Sequence, residues 1–282
     1  MPAPDRMLTY LRQAIALVRA TPGRRGHVVD LRDCADVLVA GDLHGHVGHF
    51  QALLKAADLA AHPGRHFVMQ EAVHGKFRYP AGGDKSHQLV DLFAALKCQY
   101  PKRVHYLPGN HELAQWTGRK VFKSDEDLNA LFVAGVRAAY GPEYGPEVYQ
   151  TYLDLFKALP VAVRAPNRVL VSHSLPPARL MPQFDSLRLE VDSYEPADLA
   201  PGGPVHSVLW GRDTAADNAA EYLRRMDADF LVSGHIASDD GFSVPNARQV
   251  IVDCSESPAG FILFPADRPL THAELVGCVR VF

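Results

Sequence analysis

The chain of 282 residues is long enough to bury a sizeable core, and its 47% hydrophobic and 22% charged composition is that of an ordinary globular protein. A formal net charge of -3 with no long Lys/Arg block leaves no electrostatic footprint for nucleic acid, and no apolar stretch approaches the ~20 residues that span a bilayer. Four scattered cysteines (Cys34, Cys98, Cys254, Cys278) lack the spacing of a thiolate zinc site or a disulfide framework, whereas 14 histidines supply the commonest transition-metal ligand in quantity.

Met1-Pro-Ala-Pro-Asp-Arg6 carries an acid and no apolar run, so it does not read as a secretory leader and a cytoplasmic protein is expected. Residues 6–20 place Met7, Leu8, Leu11, Ala14, Ile15, Leu17 and Val18 mainly on one face at helical spacing, and Thr21-Pro22-Gly23 stops the run. Residues 1–25 therefore read as an N-terminal packing helix. Val37-Leu-Val-Ala40 next has the composition of a strand buried on both faces, ended by Gly41. Asp42 and His44, one residue apart in the turn that follows, can aim a carboxylate and an imidazole at one point. Residues 50–59 carry Phe50, Leu53, Leu54 and Ala57 at helical period, which completes half of a β-α-β unit. A second strand at 66–71 runs into Glu71, with His74-Gly75 just beyond. A helix at 86–98 leads to a third strand at 103–107, and Pro108-Gly109 then presents Asn110, His111 and Glu112 together.

Residues 113–160 read as a helical elaboration, with Ser124-x-x-Asp127 as the cap of a helix that Gly141-Pro142 ends and a further helix at 147–159. Strands are expected at 161–165 and 168–172, with His173 directly after the second. The Pro-rich segment 175–204 has no periodicity and reads as a long surface loop, a lid or a substrate-facing wall. Trp210-Gly-Arg212-Asp213 precedes a helix at 217–226, and a strand at 230–235 ends in His235. Short strands at 249–254, 260–264 and 277–282 complete the chain. No repeat or linker divides it, so residues 1–282 are expected to form one domain.

Five strand ends thus carry Asp42 with His44, Glu71, Asn110 with His111, His173 and His235; strands lying side by side would bring all of them to one sheet edge. Two divalent metals about 3.5–4 Å apart clamp the attacking and leaving oxygens of a phosphoryl displacement and need a bridging carboxylate plus nitrogen and oxygen ligands. The inventory fits: Asp42 and His44 on one ion, Glu71 between the two, and Asn110, His173 and His235 on the other. His111, next to a ligand but free of the metal, is placed to protonate a leaving alkoxide. A hydroxide held between the ions would be the nucleophile. Such mixed donors suit manganese, iron or zinc.

The order Gly41-Asp42-x-His44-Gly45, Gly109-Asn110-His111-Glu112, Ser172-His173 and Gly234-His235 resembles the calcineurin-like metallophosphoesterase superfamily, and within it the phosphoprotein phosphatase (serine/threonine phosphatase) branch. Tyr152-Leu-x-Leu-Phe-Lys-Ala-Leu-Pro160, Val208-Leu-Trp210 and His235-x-x-x-Asp239-Asp240-Gly241-Phe242 are similar to other segments of that branch, so the likeness spans residues 37–264. It implies an α/β fold, a two-sheet β-sandwich flanked by helices in αββα layers, with a binuclear centre that hydrolyses phosphate esters of proteins or small molecules. The second motif departs from the pattern. Where the family has Gly-Asp-x-x-Asp-Arg-Gly, this chain has Gln70-Glu71-Ala72-Val73-His74-Gly75, one residue shorter. His74 stands either for the Asp that orients the catalytic histidine or for the Arg that clamps phosphate, depending on where the gap falls, and is a candidate catalytic residue. Arg212 and Arg78 are candidate replacements for the clamp, with Arg119 a third. Asp253 and Glu256 are expected to orient a ligand histidine, and His46 and His49 to have packing or surface roles. The alternatives are a degenerate homologue that binds metal as a regulatory protein, or a phosphodiesterase or dinucleoside polyphosphate hydrolase of the same superfamily.

Overall fold

The structure, a computed structural model, describes residues 3–282; the first two residues of the expected N-terminal segment lie outside the described residues. The apolar face read in the sequence forms α1 (Pro4–Arg19), which buries Met7, Leu8, Leu11, Ala14 and Val18. Two short strands, β1 (Arg24–Arg25) and β2 (Val28–Asp30), lead to a β-α-β-α-β-α run. That run is β3 (Asp36–Asp42), α2 (Val47–Ala57), β4 (Arg65–Gln70), α3 (His87–Gln99), β5 (Val104–Leu107) and α4 (Asn110–Thr117). A hairpin of β6 (Phe122–Lys123) and β7 (Glu126–Asp127) precedes α5 (Leu128–Ala158). The second half holds β8 (Ala162–Arg164), β9 (Val169–Ser172), α6 (Pro196–Leu199), α7 (Pro204–Trp210), α8 (Ala216–Arg225) and β10 (Phe230–Ser233). It closes with β11 (Phe242–Asn246), β12 (Gln249–Val252), β13 (Gly260–Pro265), α9 (His272–Val276) and β14 (Val279–Val281).

The strands divide between two main sheets. One has the order β14-β13-β3-β4-β5, the other β1-β2-β8-β9-β10-β12-β11. The ligand-bearing strands are parallel within each sheet: β3, β4 and β5 in the first, β9 and β10 in the second. They do not share one sheet edge. The donors converge instead from the carboxyl ends of two facing sheets, which meet where Asp42 bridges Asp253 and the Cys254 amide donates to the Asp42 carbonyl at 3.2 Å.

Side-chain alternation explains the layers. Val37 and Val39 of β3 join Val68, Val163, Val171, Val232 and Val250 in the core between the sheets. Leu38 and Ala40 point the other way and pack with α1, α2, α3 and α5 through Leu11, Phe50, Phe93 and Tyr152. Beyond the second sheet, Leu170 and Leu231 are covered by Val208, Leu209, Tyr222 and Leu223 of α7 and α8. The result is helix, sheet, sheet, helix. Among the described residues no helix is long and apolar enough to cross a membrane.

Three expectations are corrected. Asp127 alone caps α5, accepting from the Ala130 amide at 3.1 Å, while Ser124 sits at a left-handed φ of 48° in the hairpin turn. Gly141 breaks α5 with a φ of 75°, but the helical path resumes at once at Pro142 rather than at residue 147. Segment 175–204 is neither a lid nor a wall of the cavity described below. It folds into two short 3-10 turns and α6, burying Met181, Phe184 and Leu189 against the second sheet's helices, because an Arg188–Asp198 ion pair and scattered apolar side chains hold it without periodicity.

Candidate metal centre

Three of the five strand ends, those of β3, β4 and β10, deliver side chains through an unusual backbone. His44, Glu71, His74 and His235 all have left-handed φ values (39°, 32°, 63° and 68°), which cost each non-glycine residue about 1–3 kcal/mol. The surroundings hold them there. The amides of Leu43 and His44 both donate to the Glu71 carbonyl, at 2.9 and 3.0 Å. Glu112, fully buried at the start of α4, receives the amides of Gly109 (2.7 Å), Ala72 (2.9 Å) and Val73 (3.0 Å) and so locks the loop after β4 onto the end of β5. Glu112, grouped in the sequence with Asn110 and His111, thus anchors backbone.

Glu71 lies at the centre. Its Oε2 is 3.4 Å from His44 Nε2 and 3.6 Å from His173 Nε2, and its Oε1 accepts from the His111 amide at 2.9 Å. Two sets of donors meet on it: His44, Glu71 and His111, and Glu71, His173 and His235, each set lying within 4.8 Å of one another. Asp42 Oδ1 is 3.5 Å from His173 Nδ1, while Asp42 Oδ2 accepts from the His235 amide at 2.8 Å. The other ring nitrogen of His44 is tied to the Val73 carbonyl at 2.9 Å, leaving Nε2 to face Glu71. Asn110 is buried beside them and, with Asp42, His44, Glu71, His111 and His235, lines a cavity of about 350 Å³, whereas His173 is fully buried behind the lining.

The electrostatics call for a cation. Burial, with Glu71 next in importance, pushes the Asp42 carboxyl up, and burial and then Glu112 do the same to Glu71. Burial and the neighbouring His235 hold His173 well below the usual imidazole range, and burial with Arg212 lowers His235 to about 3. Acids and neutral imidazoles are thus crowded together without a charge to receive their lone pairs. Asp42 Oδ1, Gln70 Oε1, His173 Nδ1 and His235 Nε2 are buried without a hydrogen-bond partner. A divalent cation would satisfy these groups, and the mixed nitrogen and oxygen donor set suits manganese, iron or zinc.

The extra methylene of Glu71 is accommodated by Gly109. A Cβ at that position would lie 2.1 Å from Glu71 Oε1 and 2.3 Å from its Cδ, although the extended backbone there tolerates any residue. Gly109→Ala is therefore expected to displace the carboxylate and lower metal affinity by about 10–100-fold, with an unchanged circular-dichroism spectrum. Metal retained after dialysis checks this.

The remaining candidates separate. Arg212 lines the cavity, with Nη1 donating to the His235 carbonyl at 2.9 Å. His74 and His111 also line it, with their Nδ1 atoms 2.5 Å apart. Arg78 is not brought in: it donates to the Gly75 carbonyl and lies 3.7 Å from Asp84 and 3.8 Å from Glu126, stapling the loop between β4 and α3. Arg119 is elsewhere too, bonded to His206 and stacked over Trp210. His46 and His49 stack on each other outside the lining. Asp253 and Glu256 both line the cavity, but Asp253 accepts from the amides of Ser238 (3.0 Å) and Ser255 (2.8 Å) and Glu256 pairs with Lys76, so neither holds a ligand histidine.

Sequence reading missed Lys76 and Lys123, the other two cations of the lining, and Gln70, whose amide nitrogen donates to the Ala40 carbonyl at 3.1 Å and so turns Oε1 toward Asp42 and Gly234. The position of Gln70 immediately before Glu71, at the end of a buried strand, was the available signal for it.

Fold and donor set together define a class, a phosphoesterase sandwich with candidate metal-binding side chains between two sheet ends. Residues 35–239 match the family model described as calcineurin-like phosphoesterase, and the chain belongs to that family. A probable serine/threonine-protein phosphatase of Encephalitozoon cuniculi is 27% identical over 244 residues, 80% of this chain and 48% of that protein. The chain thus spans about half the length of this curated relative. Among solved structures, a protein serine/threonine phosphatase from Saccharomyces cerevisiae superposes with a TM-score of 0.72 at 17% identity, covering 100% of this chain and 89% of that one. A cold-active protein-tyrosine phosphatase of a psychrophilic Shewanella gives 0.60 at 14% identity, covering 94% and 83%. At these identities the two structures speak for the fold.

Proposed function

We propose that the chain is a metal-dependent phosphomonoesterase of the serine/threonine phosphatase type, acting as one domain. The observation that carries this reading is the position of Glu71, a carboxylate common to two adjacent sets of metal-binding side chains. In this reading Asp42 and His44 would hold one ion and Asn110, His173 and His235 the other, with Glu71 available to both, while His111, close to the first set, is kept for proton transfer. When bound, such ions supply Lewis acidity and lower the pKa of coordinated water toward neutrality. The protein's own groups then do three things. Arg212, Lys123 and Lys76 present positive charge to the phosphate oxygens in place of the missing clamp arginine. His111, with His74 behind it, handles the proton at the leaving oxygen. The buried sheet ends hold the donors in place before substrate arrives, so little reorganisation is needed.

The test is turnover of an aryl phosphate monoester and an aryl diester by protein stripped with chelator and then given manganese. Monoester turnover that returns with metal is expected. Lys123→Ala is expected to raise KM about tenfold with little change in kcat, because one charge-assisted hydrogen bond to phosphate is worth roughly 1.5 kcal/mol. Absence of turnover in protein holding two ions per chain would overturn the reading in favour of a binding protein.

A further inference from the structure

A third member stands behind the two histidines of the cavity. Gln115, 2% exposed, lies on α4 four residues after His111, so both side chains share one helix face, and the His74 ring inserts between them. His74 Nδ1 is 2.5 Å from His111 Nδ1, and His74 Nε2 is 3.3 Å from Gln115 Oε1. The Gln115 amide is oriented from its far end, where Nε2 faces the Asn129 carbonyl at 3.4 Å and the Tyr149 hydroxyl at 3.2 Å. A backbone carbonyl only accepts, so the NH2 group must lie on that side and the oxygen must face His74.

The protons follow in order. Gln115 Oε1 can only accept, so His74 Nε2 carries a hydrogen. In a neutral ring His74 Nδ1 is then a lone pair, and the hydrogen between the two rings belongs to His111 Nδ1. This leaves His111 Nε2 bare. The His74 backbone is fixed independently by the hydrogen bond that its amide donates to Ser86 Oγ at 3.1 Å. The hydrogen-bond partners of both rings are amide and imidazole groups, and the Glu71 carboxylate stands within 4.8 Å of the His111 ring without bonding to it.

We propose that Gln115 is a positioning residue, which sets the tautomer of His111 through His74 so that Nδ1 is protonated and Nε2 presents its lone pair to the cavity. Its catalytic consequence rests on the phosphatase reading above; the tautomer itself does not. In that tautomer His111 Nε2 would take its proton from solvent water in the cavity and pass it to a leaving oxygen, with His74 Nδ1 still accepting at His111 Nδ1.

Protein labelled with nitrogen-15 at the histidine rings tests this by NMR, recorded on the protein as purified and again after chelation to remove paramagnetic broadening. The expected spectrum assigns His74 as the Nε2-protonated form and His111 as the Nδ1-protonated form. Gln115→Leu removes the acceptor and is expected to mix both tautomers and to lower kcat roughly ten- to a hundredfold with KM nearly constant. Gln115→Glu keeps an acceptor oxygen toward His74 but sets its other oxygen against the Asn129 carbonyl, so it is expected to hold the His111 tautomer in the spectrum while losing stability. A wild-type His111 protonated at Nε2 would overturn the proposal, and this holds even where the Leu variant fails to fold. So would a folded Leu variant with unchanged tautomers, or a folded Glu variant whose His111 signals match those of the Leu one. Absence of phosphatase turnover with the expected wild-type tautomers would refute the phosphatase reading and leave the tautomer assignment standing.

Discussion

Glu71→Ala is expected to lower metal-dependent monoester turnover by roughly a thousandfold or more, since metal ions contribute several kcal/mol of transition-state stabilisation and each 1.36 kcal/mol is a factor of ten. The reason is geometric: this one carboxylate faces His44 at 3.4 Å and His173 at 3.6 Å, so its removal impairs both sets of donors at once. Bound metal is expected to fall below two ions per chain. Loss of fold is separable from loss of metal. In the metal-free protein Glu71 is a buried carboxyl held above its usual range by burial and by Glu112, so deleting it relieves a repulsion while leaving the His111 amide without its acceptor. These effects oppose, and the metal-free stabilities of variant and wild type should lie close together. Added manganese should then raise the melting temperature of the wild type and leave that of the variant almost unmoved. Glu71→Gln, which keeps the shape and the acceptor for the His111 amide, separates charge from volume. A variant that retains two ions and a tenth or more of wild-type turnover would show that Glu71 is not shared between them.

Much of this site could be read in the sequence because its signals are local. A run such as Val37 to Ala40 that stops at Gly41 needs no partner to be recognised as a buried strand, and Asp42 and His44 follow within three residues. Strand pairing is not local. β3 lies between β4 and β13, the latter joined through Val39 and Ile262, residues more than two hundred positions apart, and nothing in either segment states that partnership. That is why donors expected at one sheet edge turn out to face each other from two. The β6–β7 hairpin escaped notice for a different reason. Its strands are two residues long, and its turn uses Ser124 and Asp125 at φ values of 48° and 66° without a glycine to announce it, yet it delivers Lys123 to the cavity. Gln115 shows a third limit: nothing about a lone amide on a helix announces a role until the ring it touches is known.

A second large effect is expected far from the cavity. Lys97 on α3 is 1% exposed, and its ammonium donates to Thr21 Oγ1 at 3.1 Å and to the Val104 carbonyl at 3.0 Å, neither of them charged. Around it lie Arg24 of β1, His105 on β5 and, stacked on His105, His66 on β4; burial holds both imidazoles neutral, so the nearby charge is that of Arg24. Burial, followed by Arg24, lowers Lys97 from 10.5 to about 7. At 1.36 kcal/mol per pKa unit the protonated ammonium is disfavoured in the folded protein by roughly 4–5 kcal/mol. Lys97→Met retains most of the buried stem but forfeits two hydrogen bonds worth about 1 kcal/mol each and leaves the Val104 carbonyl unpaired at a further ~1 kcal/mol. The net expectation is a variant more stable than wild type by about 1–2 kcal/mol at pH 6, a rise of roughly 2–8 °C in melting temperature. The sign then depends on pH. Between about 7 and 10.5 the unfolded wild type binds more protons at this position than the folded form, so wild-type stability climbs with pH through that window while the methionine variant has no such term. The advantage should shrink by roughly 2–3 kcal/mol from pH 6 to pH 9 and can reverse there. Both proteins share the candidate metal centre and its histidines, so their contributions cancel in the difference. An advantage that is absent at pH 6, or equal at both pH values, would mean that Lys97 holds its proton without penalty.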